Sequence, residues 1–139
     1  MSVDLHRGAC FFVAEPKANS QTVAAYFHGL AAHVPAQGAT GLTVLLDRNG
    51  THGPKMRRAL AELQPVIPVV FLSLAAYSPR LNPVEYLLHL IRLARLHHAA
   101  PTQDLEQVQK RLEEAVHQKV WLSPEQLQNL LAFIDESVP

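Results

Sequence analysis

The chain has 139 residues, the length of one domain able to bury its own core, and its 48% hydrophobic against 17% charged residues excludes a disordered chain. Twelve Lys and Arg balance twelve Asp and Glu, which argues against a free-standing nucleic-acid binder with a basic excess, although Lys55, Arg57 and Arg58 form a local basic cluster. The single cysteine, Cys10, excludes an intrachain disulfide and a cysteine-rich zinc site.

The opening MSVDLHRG is polar and lacks an apolar h-region, so no secretory signal is expected. No stretch reaches about 18 uninterrupted apolar residues, so no membrane partner is expected and a cytoplasmic location follows by default. Ala9 to Ala14 (ACFFVA) is a short apolar run with aromatic and β-branched members, and it predicts a buried strand that holds the Cys10 thiol. Asn19-Ser20 then reads as a helix cap. Val23, Tyr26, Phe27, Leu30 and Val34 follow at helical spacing. Gln37 to Gly41 reads as a loop, and Leu42 to Leu46 (LTVLL) as a strand stopped by Asp47.

After a Gly-containing turn, Pro54 suits the first position of a helix to about Leu63, because its missing N–H is not needed there. Val66 to Leu72 (VIPVVFL) predicts a third strand, with Pro68 either demoting it to a sheet edge or displacing its start. From Asn82 to about His97 the pattern is helical and apolar nearly all round, which predicts burial on more than one side. Pro101-Thr102 opens a more polar helix to about Lys119, with Leu105, Val108, Leu112, Ala115 and Val116 as its apolar stripe. Ser123-Pro124-Glu125-Gln126 is a capping box that starts a last helix. Strand–helix alternation followed by three helices predicts an α/β fold with parallel strands and right-handed crossovers.

Two carboxylates stand at element ends. Asp47 follows the LTVLL strand directly, and in open α/β sheets ligand-binding groups gather beyond the carboxyl ends of strands. Glu85 opens the helix after the third strand, so a parallel layout brings both acids to one rim. Hard oxygen ligands of this kind suit Mg²⁺ or Mn²⁺, which support phosphodiester chemistry. Each acid also has a plainer reading. Asn82-x-x-Glu85 is itself a capping-box pattern, and an acid there complements the helix dipole. An Asp at a strand end is often a turn residue.

LLDRNGTH (Leu45 to His52) together with FLSLAAYSPRLNPVEYLLHLIRL (Phe71 to Leu93) resembles the C-terminal half of mariner-like insertion-sequence transposases. These are DDE-superfamily endonucleases with a ribonuclease H-like fold. Asp47 and His52 have the family spacing, and Tyr77, Ser78, Pro79, Leu81, Asn82, Pro83 and Glu85 match its Tyr-Ser-Pro-x-Leu-Asn-Pro-x-Glu block. ANSQTVAAYFHGL resembles the family's Asn-Ser-x-Thr helix, and the likeness spans roughly Ala9 to His98. The resemblance implies that Asp47 and Glu85 are the second and third acids of the triad, holding Mg²⁺ or Mn²⁺, with DNA as the partner. It implies that His52 orients groups beside Asp47; a loop histidine with a structural hydrogen bond is the plainer reading. Asn82 would position Glu85 as its cap.

The chain also departs from the family. These residues hold no convincing counterpart of the first Asp, since Asp4 lies too near the start. The Pro-Pro before Tyr77 is Ala75-Ala76, the tryptophan after the glutamate is Leu88, and the helix-turn-helix DNA-binding region has no counterpart. The expectation is therefore a ribonuclease H-like fragment: a single truncated DDE endonuclease domain over residues 1–139, with a mostly parallel sheet of three strands and helices on its faces. Residues 102–139 would be a C-terminal helical extension. Such a chain is expected to lack activity alone. A homodimer or a complementing upstream half of the transposase would supply the missing strands. The alternative is a non-catalytic, dimeric α/β protein-interaction module.

Overall fold

The computed structural model describes residues 1–74, 81–96, 104–118 and 122–136. Its chain divides into two compact units, a central one of Glu15–Asn82 and a terminal one of Met1–Ala14 with Pro83–Pro139. Among the described residues no helix is long and apolar enough to cross a membrane.

The central unit begins with helix α1, Ser20–His33. Its start is a reciprocal cap: the Asn19 side chain accepts from the amides of Gln21 and Thr22, and the Thr22 hydroxyl oxygen accepts from the Asn19 amide. A 3₁₀ turn, Val34–Gln37, ends at Gly38, whose φ of 87° is one that glycine adopts without steric cost. Strand β3 is Leu42–Leu46, helix α2 is Pro54–Glu62 with Pro54 at its first turn, and strand β4 is Val69–Ser73. β3 and β4 pair in parallel, with Leu42 opposite Val69 and Leu46 opposite Ser73. The ladder runs one bond past each end, from the Leu42 amide to the Pro68 carbonyl and from the Leu74 amide to the Leu46 carbonyl. Pro68 therefore displaces the start of the strand, since it accepts there and has no amide to donate.

α1 and α2 pack together and cover one face of this sheet. The Phe27 ring meets Phe71 edge-on at 5.2 Å, and the Arg57 guanidinium lies 5.3 Å from the centre of the Phe71 ring. Ala24, Phe27, Leu30, Met56 and Leu60 form the buried interior of the helix layer. The other face carries Thr43 beside Val70 and Leu45 beside Leu72, with Leu45, Val70 and Leu72 41%, 53% and 50% exposed.

The terminal unit pairs strand β1, Ser2–Val3, with strand β2, Cys10–Phe11, in antiparallel register. Asp4 builds the connection by accepting from the amides of His6 and Arg7 on its carboxylate and from the Gly8 amide on its carbonyl. Gly8 has a φ of 67°, and a Cβ there would run into the Leu122 carbonyl oxygen. Helix α3, Pro83–Ile91, continues as a π-helical turn over Arg92–Leu96. Helices α4, Leu105–Gln118, and α5, Pro124–Glu136, follow. Ser123 and Gln126 form the predicted capping box, Ser123 N–H to Gln126 Oε1 at 2.9 Å and Gln126 N–H to Ser123 Oγ at 3.1 Å. Leu87, Ile91, Ala115 and Val116 make the core, with Met1, Val3, Cys10 and Phe12 packed on it.

Four expectations need correction. The sheet of three strands is instead two sheets of two strands each among the described residues. The Ala9–Ala14 run forms only Cys10–Phe11 and joins β1, because an antiparallel partner one short turn away closes at less entropic cost than a parallel one beyond a crossover. Helices cover one face of the parallel sheet in the central unit, not both. The nearly all-apolar helix also keeps Leu88, Leu90 and Leu93 largely exposed at 39%, 39% and 48%, so its burial is one-sided in this structure. Ala75, Ala76, Tyr77, Ser78, Pro79, His97, His98, Pro101, Thr102 and Lys119 lie outside the described residues.

Candidate active site

Asp47 is the first residue past β3, and its backbone leaves the sheet edge there. The next residues fold back tightly. Asn49 caps the 3₁₀ turn Gly50–His52 by accepting from the Thr51 amide and the Thr51 hydroxyl, each at 3.0 Å. That turn brings His52 back onto Asp47, with His52 Nδ1 2.6 Å from Asp47 Oδ1 and 3.3 Å from the Asp47 carbonyl oxygen. Both acceptors face one ring nitrogen, so a neutral imidazole held here carries its proton on Nδ1 and leaves Nε2 as the acceptor. The histidine side chain is 23% exposed and the aspartate 49%, so the pair sits at the surface, open to a bulky substrate.

Asn49 is the residue that motif reasoning passed over. Its signal was present in the Asn-Gly dipeptide, which marks a turn with a side-chain acceptor at its start. That cap closes the Asp47-to-His52 segment together with the backbone bond from the His52 amide to the Asn49 carbonyl.

Glu85 is the third residue of α3 and is exposed in its first turn, where the helix dipole favours a carboxylate. Asn82 directly precedes Pro83, the first residue of that helix. The structure thus brings together Asp47 and His52 in the central unit and holds Glu85 in the terminal one. Asp4 is occupied as a turn acceptor.

As a metal site, Asp47 offers one hard oxygen ligand beside an imidazole. Among the described residues no third His, Cys, Asp or Glu joins them, and no other group of three forms. Mg²⁺ characteristically takes one or two carboxylates plus water and substrate phosphate, so Asp47 fits as a partial ligand set rather than a resident cage.

The DDE superfamily endonuclease family matches residues 1–109, well over half of the chain, including Asp47, His52 and Glu85. No curated protein and no solved structure matches it. With the strand that ends just before Asp47, the His52 turn and the helix whose first turn carries Glu85 all inside the matched stretch, the chain belongs to the DDE superfamily of endonucleases, which implies a ribonuclease H-like fold, DNA as partner and divalent-metal chemistry.

Proposed function

We propose that the chain is the C-terminal half of a mariner-like insertion-sequence transposase, a truncated DDE domain over residues 1–139 with residues 102–139 as its helical extension. In this reading Asp47 and Glu85 are two of the three acids and would serve as metal ligands, and Mg²⁺ or Mn²⁺ would supply Lewis acidity for hydrolysis and transfer of DNA phosphodiesters. His52 keeps the Asp47 carboxylate in one orientation, and its Nε2 faces away from that carboxylate, available to a water or a hydroxyl. Asn82 sets the start of the helix that presents Glu85. The observation that carries the reading is the 2.6 Å contact between His52 and an aspartate at a strand end, inside a stretch that matches the family.

The first acid has no counterpart in these residues, so the chain alone is expected to be inactive. A plasmid-nicking assay in Mn²⁺ tests this, with a polypeptide carrying the family's first-acid strands added or left out. Nicking should require both polypeptides and be lost in Asp47→Ala and Glu85→Ala. No cleavage with both present, or unchanged cleavage in Asp47→Ala, defeats the catalytic reading.

The second reading, a non-catalytic dimeric α/β interaction module, is favoured by the apolar open face of Leu45, Val70 and Leu72. Parallel sheets are ordinarily covered on both faces. Light scattering on the purified chain decides it: a dimer that neither binds Mn²⁺ nor nicks DNA supports the module, and a monomer removes it.

A further inference from the structure

The neutral total conceals a segregation of charge. Glu15–Asn82 holds six Lys and Arg against three Asp and Glu, and the terminal unit holds six against nine. The differences are +3 and −3, and together they account for all twelve charges of each sign. Four of the six central cations, Arg48, Lys55, Arg57 and Arg58, run from the Asp47 loop into the first half of α2, and all four are exposed.

Helix geometry sorts them. α2 turns Met56 and Leu60 inward, which leaves Lys55 and Arg58, three apart, as neighbours on its exposed side. Arg57 lies against the Phe71 ring instead. Among the described residues none of Arg48, Lys55 and Arg58 is in an ion pair. The first turn of α2 has no acidic residue, and its Gly53 cap brings no side chain, so the positive end of the helix dipole adds to the same surface. The adjoining α1 contains no Asp, Glu, Lys or Arg to oppose it. Among the described residues, the large exposed apolar side chains of this unit are Leu45, Leu63, Val66, Val70 and Leu72, none of them between Arg48 and Arg58. A protein-docking surface ordinarily has apolar or aromatic anchors at its centre, whereas a phosphate-tracking surface needs only cations.

We infer that the central unit alone carries a polyanion-binding surface, formed by Lys55 and Arg58 with Arg48, and that this surface holds the sugar–phosphate backbone of DNA without reading its sequence. The identity of the polyanion rests on the DNA-endonuclease reading; the surface itself rests on the charge distribution. It places the backbone grip in the helix that directly follows His52.

Fluorescence anisotropy of the full chain with labelled duplexes of two unrelated sequences, in EDTA from about 50 mM salt upward, tests it. The duplexes should bind alike. Lys55→Gln with Arg58→Gln should weaken binding about tenfold and lower the salt slope by about two. Lys110→Gln with Arg111→Gln in α4 removes the same charge and should stay within about twofold of the parent. Glu62→Lys, one turn beyond Arg58, should strengthen binding about threefold, a gain that misfolding cannot mimic. Equal losses in the two double variants, no loss in Lys55→Gln with Arg58→Gln, or binding of labelled poly-glutamate in preference to DNA overturns the inference. Because EDTA removes cleavage, binding as expected without any nicking in Mn²⁺ when the complementing first-acid polypeptide is present defeats the catalytic reading and leaves this surface standing. Nicking with both polypeptides while Lys55→Gln with Arg58→Gln binds normally does the reverse.

Discussion

The central and terminal units are built by opposite routes. The central one is a single stretch in which α1, β3, α2 and β4 follow one another along the chain, so its partners are near in sequence. The terminal one closes a hairpin from the first residues onto Leu87, Ile91, Ala115 and Val116, partners separated by most of the chain. Contacts of that span carry a larger loop-closure cost before packing rewards them. The difference teaches that the first unit brings together neighbours along the chain, whereas the second rests on buried side chains drawn from its two ends.

The strongest way to break this comparison is to remove one such side chain from each unit. Leu87→Ala and Met56→Ala each delete a side chain with 0% exposure and should each cost about 3 kcal/mol. Hydrogen exchange read peptide by peptide should show Leu87→Ala loosening α3, α4 and the β1–β2 hairpin first, and Met56→Ala loosening α1, α2 and the parallel sheet. Equal loosening of both units by either variant would mean that they unfold as one.

Gly8→Ala tests the hairpin separately. It combines a left-handed backbone with a collision against the Leu122 carbonyl, and should lower stability by about 2 kcal/mol in urea unfolding. A neutral result would show that the hairpin can leave the α4–α5 connection without loss.

The caps offer a matched pair. Asn19→Ala in the central unit and Ser123→Ala in the terminal one each remove one half of a reciprocal cap, and should each cost about 1 kcal/mol in thermal unfolding. Beyond the end of α2, Gln64 has a φ of 51°, so Gln64→Gly should stabilise the central unit by about 0.5 kcal/mol.

The smallest effect is a pH dependence confined to the terminal unit. Burial raises the Cys10 thiol above its ordinary value of 9.0, against an opposing pull from the chain's amino terminus. The unfolded thiol therefore ionises first. The stability it contributes is fully present below pH 9.0 and is lost as pH rises through the folded value. Cys10→Ala should flatten the stability profile above that pH, as read by urea unfolding at several alkaline pH values.

Much of the molecule was legible before any tertiary structure. Leu42–Leu46, the Asn19 and Ser123 caps and Pro54 at a first turn are local events, decided by side-chain shape and hydrogen bonds within four residues. The Asp47–His52 pairing was half legible. The resemblance marked both residues, but their closure depends on the Asn49 turn. What resisted reading was partnership. The ACFFVA run is equally apolar whether it joins a parallel sheet or a hairpin, and periodicity carries no information about which neighbour it pairs with.

The order of strands and helices, the positions of Asp47, His52 and Glu85 at element boundaries, and the unequal spread of charge follow from the order of amino acids alone. The pairing of β2 with β1, the single covered face of β3–β4 and the grouping of chain ends into one unit were decided only by folding. The physical reason is that backbone and cap interactions are short-ranged, whereas the choice among apolar partners is a competition between buried area and the entropy of the loops that must close.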